Sequence, residues 1–347
     1  MECLAIGSLP YENPQEAINV VKKYFPTIPF WPQLAKVSKN EDMTFQFLEG
    51  MPSFFISEDF RFNTEDESFY EELEQFFVDY EEIVSNNDSE ILEKYAISEN
   101  FSSTFGQFLE LAKQSKFAKG QIVGPFTLAT TLTDTNGRCA IYDDTLKEII
   151  VKTLTLKALW QIKQIKATGA TPIIFIDEPS ISQLGTSAFL TISQEDVVSM
   201  IKEISDVIQA QGALSAIHCC GKCDWSAPIK TGINIISLDA YAFAQNLSIF
   251  HKDVDKFLKN GGKIAWGVVP TLDKDALQNA TLDVMLEKFS DAVNYLTKKG
   301  INEKLIIENS YVSPSCGAGS LSKELALKAM ELTQKLSDSL KERYNDN

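Results

Sequence analysis

Four of the six cysteines in this chain, Cys219, Cys220, Cys223 and Cys316, fall in two glycine-containing segments. His218, one of only two histidines, opens the first of them. Imidazole and thiolate together are a preferred ligand set for zinc. In Ile217-His218-Cys219-Cys220-Gly221-Lys222-Cys223 an extended backbone turns alternate side chains the same way. His218 and Cys220 therefore face together while Cys219 faces away. Cys316 stands alone in the turn-rich loop Ser313-Pro314-Ser315-Cys316-Gly317-Ala318-Gly319, as a ligand to an open, reactive site would. His218, Cys220 and Cys316 are expected to hold one zinc ion. Asp239 is a candidate fourth ligand, or an acceptor that orients His218. Cys220 and Cys223 also form a C-x-x-C, which reads alternatively as a redox pair or half a zinc knuckle. A four-cysteine structural site would need a second such pair, and the sequence has none.

Two adjacent carboxylates, Asp177 and Glu178, end an apolar run and precede Pro179. At the mouth of a site they would bind a substrate ammonium group or work as acid and base. The alternative is a helix N-terminus rich in acid, stabilised by the macrodipole. Gly7 and Ser8 follow the first apolar run and offer backbone and hydroxyl donors suited to a substrate carboxylate.

The elements that must position these groups are short apolar runs alternating with helical patterns. Eight runs are expected as strands: Cys3–Ser8, Ile28–Gln33, Gln121–Thr127, Pro172–Asp177, Ala213–His218, Ile233–Asp239, Lys263–Val268 and Lys304–Glu308. Near-continuous apolar strands separated by helices imply a parallel sheet covered on both faces. Eight units favour a closed (β/α)8 TIM barrel, whose reactive groups lie at the C-terminal ends of the strands. The residues singled out above all fall there. Helices are expected over Pro14–Phe25, Asp143–Ala167, Ser193–Gln211, Ser248–Lys259, Thr281–Lys299 and Ser322–Arg343. Residues 62–119 break the rhythm with two amphipathic helical patterns, and read as a helical insertion after the second strand. The insertion would either cover the barrel mouth or add a packing layer. One domain over residues 1–347 is the economical organisation.

The formal net charge of −16 opposes non-specific binding to nucleic acid or an anionic membrane. No apolar stretch reaches the roughly 18–20 residues of a membrane-crossing helix, and no signal peptide opens the chain. A cytoplasmic protein is expected, in which cysteines serve as core residues or ligands more often than as disulfides.

At Ile6-Gly7-Ser8-Leu9-Pro10, Gly124-Pro125-Phe126-Thr127, Ile176-Asp177-Glu178-Pro179, His218-Cys219-Cys220 and Pro314-Ser315-Cys316-Gly317, the chain resembles the catalytic barrel of cobalamin-independent methionine synthase. That barrel belongs to the uroporphyrinogen decarboxylase-like superfamily. The matches run in the family order over nearly the whole chain. The resemblance implies zinc at His218, Cys220 and Cys316, and homocysteine held near Ser8 and Asp177. There are two departures: Asp239 stands where the family has a zinc-binding glutamate, and Val37 stands near its substrate-binding glutamate. The long folate-binding N-terminal half of those enzymes has no counterpart here. The resemblance thus points to the short core methionine synthases, for which a methylated corrinoid, free methylcobalamin or a corrinoid protein, is the expected methyl donor. Methylcorrinoid:coenzyme M methyltransferases share the zinc logic and are the nearest alternative. A non-catalytic zinc-binding barrel is the alternative from another class. A decarboxylase needs an arginine-rich motif near its N-terminus, whereas the only arginines are Arg61, Arg138 and Arg343.

Overall fold

The computed structural model describes residues 1–52, 61–86 and 88–345. Its centre is a six-stranded, wholly parallel sheet in sequence order, curled and flanked by helices. The strands are β1 (Phe117–Val123), β2 (Thr171–Asp177), β3 (Leu214–Cys219), β4 (Ile235–Leu238), β5 (Lys263–Val269) and β6 (Ser310–Pro314). Strand alternation divides the buried side chains between two cores. Ile173 and Phe175 of β2, Ala216 of β3, Ile235 of β4, Ala265 of β5 and Tyr311 of β6 form a small cluster with Leu4, Ile6 and Ile28. Their neighbours, such as Ile174, Ile176, Ile217 and Ile236, face the larger core beneath the helices.

Four of the expected strands differ. The first two runs are bridging segments rather than strands, touching the sheet through the parallel pairs Cys3↔Val312 and Phe30↔Lys119 and each other through Ser8↔Gln33. In the second run Pro29 and Pro32 lack the N–H groups a continuous ladder requires. What remains against β1 is Trp31 N donating to Lys119 O at 2.9 Å and Lys119 N donating to Pro29 O at 2.8 Å. The last strand is Ser310–Pro314 and not Lys304–Glu308, which is helical from Glu303 to Glu308. There the Asn302 side chain accepts a hydrogen bond from Leu305 N at 3.2 Å, an N-cap that outweighs the short apolar run. The β1 strand also lies earlier than expected. Gly124 and Pro125 end it, and Pro125 opens a helix, so Thr127 is helical.

The main helices are α1 (Pro14–Tyr24), α2 (Phe69–Asn86), α3 (Phe105–Ala112), α4 (Pro125–Thr131), α5 (Asp144–Ala167), α6 (Gln194–Ala210), α7 (Ala240–Leu247), α8 (His251–Lys259), α9 (Leu282–Thr297), α10 (Glu303–Glu308) and α11 (Lys323–Asn345), and all but α4, α7 and α10 fall where the periodicity places them. Ser193 caps α6 by accepting from Asp196 N at 3.0 Å. The described part of the insertion packs against α5. Phe105 stacks on Trp160 with centroids 4.8 Å apart, and Lys157 Nζ donates to the carbonyls of Tyr95 and Ala96. This second covering layer is why α5 is buried nearly all round. Among the described residues, no helix is long and apolar enough to cross a membrane.

Candidate metal centre

The residues singled out for chemistry gather at the C-terminal ends of the strands. His218 lies on β3 in line with Ala216 and so faces the small inner cluster, while Cys219 turns into the main core. Cys220 follows two residues after His218, and Cys316 two after the end of β6. The ligand atoms of His218, Cys220 and Cys316 all lie within 4.8 Å of one another. His218 Nδ1 is 3.0 Å from Ser237 Oγ, on the neighbouring strand β4. Its Nε2 is buried without a partner. Buried ring nitrogens are rarely left so, and an imidazole anchored through Nδ1 is ready to ligate a metal through Nε2.

Proton placement in the triad fits the same use. Donation from the Cys316 thiol, aided by His218, draws Cys220 down to about 4 against the opposing effect of burial. Cys316 is driven strongly upward by acting as that donor and by burial. These opposed shifts favour a single proton between the two sulfurs, carried on Cys316. That proton would leave when a cation takes its place. Donor chemistry, spacing and the unpartnered Nε2 all fit zinc.

Asp239 lies near the triad but outside the group whose ligand atoms are all within 4.8 Å of one another, the one such group among the described residues. Its Oδ1 accepts from Ala242 N at 2.9 Å and caps α7. Burial and the neighbouring Cys220 thiolate push its carboxyl up to about 6, although the cap opposes them.

Asp177 ends β2, paired in register with Val123 on one side and His218 on the other. It is 3% exposed, and its Oδ1 has no partner. Burial raises its pKa, opposed by Lys119 and His218. Lys119 is a fully buried lysine on β1; it donates to Gln121 Oε1 at 2.9 Å and lies 4.4 Å from the centroid of Phe175.

Glu178 does something the sequence did not suggest. Its carboxyl group reaches across to the N-terminus of α4, where Oε1 accepts from Thr127 N at 2.6 Å and from Thr127 Oγ1 at 2.7 Å. Oε2 accepts from Phe126 N at 3.3 Å. The acid thus serves a helix N-terminus, but of a different helix from the one that follows it. Gly124 makes room for it, since a Cβ there would collide with the Glu178 carboxyl group. The segments Gly124–Thr127 and Asp177–Pro179 are therefore one interlocked unit.

Ser8 packs against the Cys316 loop. Its carbonyl accepts from Ala318 N at 2.9 Å, and a Cβ on Gly317 would collide with its Oγ. Gly7 is equally confined, because a Cβ there would come within 2.8 Å of Gln33 Oε1. Val37 is 38% exposed. Sequence reasoning missed Ser237, Thr271, Ser315 and Lys119. The signals were a serine two residues before Asp239 on the same strand face, hydroxyls flanking strand ends, and a lysine inside an apolar run.

Comparison with known protein families found no matching family model, and no curated protein matches the chain.

Proposed function

We propose that this chain is a zinc-dependent thiol S-methyltransferase that methylates homocysteine to methionine, with a methylated corrinoid as donor. The observation that carries this reading is the buried, unpartnered Nε2 of His218 beside the sulfurs of Cys220 and Cys316. Three protein donors are the usual number at a catalytic zinc, whereas structural sites generally have four. When bound there, zinc supplies one thing, a substrate thiol held as thiolate at neutral pH.

The remaining work falls to the chain. The unpaired Asp177 carboxylate takes the ammonium group of the amino-acid thiol, and Ser8 with the neighbouring backbone takes its carboxylate. Glu178 holds the start of α4 in place beside them. Fixing both charged ends of the acceptor aims its sulfur at the donor methyl group, a proximity effect. A free carboxylate at this point also favours homocysteine over coenzyme M, whose sulfonate it would repel. In the fold, the bridging segments Cys3–Ser8 and Ile28–Gln33 stand between β6 and β1, and we read them as the first two staves of a (β/α)8 barrel. Six free cysteines fit a reducing, cytoplasmic setting.

The test is zinc content of the purified protein together with a methyl-transfer assay. Homocysteine and coenzyme M are offered as acceptors, against methylcobalamin, a methylated corrinoid protein and methyltetrahydrofolate as donors. We expect about one zinc per chain and transfer from a corrinoid donor to homocysteine, both lost in Cys316→Ser. Full zinc content and full transfer in Cys316→Ser would sink the assignment. Firm zinc binding with no transfer to any thiol would favour a non-catalytic zinc barrel.

A further inference from the structure

We infer that Thr271 is a positioning residue for the metal centre, setting the direction in which Cys316 presents its sulfur. This rests on the reading above that His218, Cys220 and Cys316 bind zinc. Cys316 belongs to no helix or strand, so its backbone angles are not fixed by a ladder of its own. A single buried hydroxyl does this instead. Thr271 Oγ1 accepts from Cys316 N at 2.9 Å and donates to Cys316 O at 2.9 Å. Both peptide groups flanking the Cys316 Cα are thus tied to one atom, leaving the thiol little freedom beyond rotation about χ1.

The tie is itself held. Ser315 Oγ accepts from Thr271 N at 3.0 Å and lies 3.2 Å from Thr271 Oγ1. Ser315 N donates to Val269 O at 2.8 Å, where β5 ends. Thr271 is 1% exposed and Ser315 is equally buried, so water does not compete for these bonds. The ligand from β6 is consequently aimed by the loop after β5. By contrast, His218 and Cys220 are aimed by β3 and by the Ser237 hydroxyl on β4.

Thr271→Val keeps the shape and removes the hydroxyl, leaving Cys316 N–H and C=O unpaired. Zinc affinity is measured by competition with a chromophoric chelator at fixed pH, which needs no turnover. Loss of a group that orients a ligand typically weakens metal binding about 10–100-fold, and we expect that range for Thr271→Val. Thr271→Ser keeps the hydroxyl and should stay within about threefold of wild type, well short of that loss. In a Cys316→Ala background, Thr271→Val should cause no further loss, because the residue acts only through Cys316. If the valine variant fails to fold, Thr271→Ala takes its place with the same expectations. Wild-type affinity in the hydroxyl-free variant overturns the inference, as does a penalty that persists without Cys316. A wild-type chain that binds no zinc at all overturns the metal reading itself.

Discussion

Replacing Glu178 separates a structural carboxyl group from a catalytic one. Burial pushes its pKa up to about 8, even though Thr127 and Phe126 donate to it. At neutral pH it is therefore mainly the acid. In that form Oε1 is a carbonyl accepting the two short bonds, and Oε2 carries the longer one. Glutamine reproduces the carbonyl and loses only the 3.3 Å bond from Phe126 N. Below pH 4.5, where the folded and unfolded chains both hold the proton, Glu178→Gln should thus cost about 1 kcal/mol, the typical net worth of one hydrogen bond, and that cost should shrink and reverse as pH rises toward 8. Alanine strands three buried donors and opens a cavity, at about 3–5 kcal/mol.

The two variants also differ from wild type in their response to pH. An acid whose folded pKa lies above its unfolded value of 4.5 contributes stability that is complete below 4.5 and lost as pH rises to about 8. A shift of that size corresponds to roughly 5 kcal/mol at most. Wild type should lose stability from this group between pH 4.5 and 8, and Glu178→Gln should show a flatter profile over that window. Denaturant titration at several pH values measures both effects, with methyl transfer followed in parallel. If Glu178→Gln abolished transfer while leaving zinc affinity and stability unchanged, the carboxyl group would be acting in the chemistry and the helix-anchoring account would be wrong.

Three further outcomes are expected. In the metal-free protein, Cys220, drawn down to about 4, should be alkylated by iodoacetamide at pH 6. Cys3, pushed up to about 12, should stay unmodified; labelling of Cys220 only above pH 8 would contradict the shared-proton picture. Ser237→Ala removes the partner of His218 Nδ1 and should weaken zinc binding about 10-fold, read by chelator competition; unchanged affinity would mean that Ser237 does not orient the ring. Gly124→Ala drives a methyl group into the Glu178 carboxyl group and should cost about 2–3 kcal/mol. Most of that cost should disappear in a Glu178→Ala background, whereas additive losses in a double-mutant cycle would show that the two positions are independent.

The triad was legible in the sequence because the alternation of an extended backbone decides which of two neighbouring cysteines faces His218. The parallel sheet was legible from its apolar runs for the same reason, that strands covered on both faces need them. The final strand was misplaced because Leu305–Ile307 is the more apolar run, whereas the true strand Ser310–Pro314 carries two serines, and the Asn302 cap makes the apolar run helical. The partner of Glu178 was invisible because it lies 51 residues away in the chain, across the β1–β2 junction. Thr271 escaped for a similar reason: a hydroxyl that clamps a backbone 45 residues away leaves no local pattern.

Adjacent cysteines pointing to opposite cores have a consequence for how the chain reaches its native state. A one-residue slip of β3 against β2 would exchange Cys219 for Cys220 and turn His218 toward the helices. Both arrangements bury apolar neighbours, so hydrophobic contacts alone discriminate weakly between them. Only the correct pairing sets an imidazole and a thiolate beside Cys316. Metal capture would then act as a proofreading step, drawing slipped chains back to the native register. Refolding with zinc present should leave fewer misregistered molecules than refolding with a chelator.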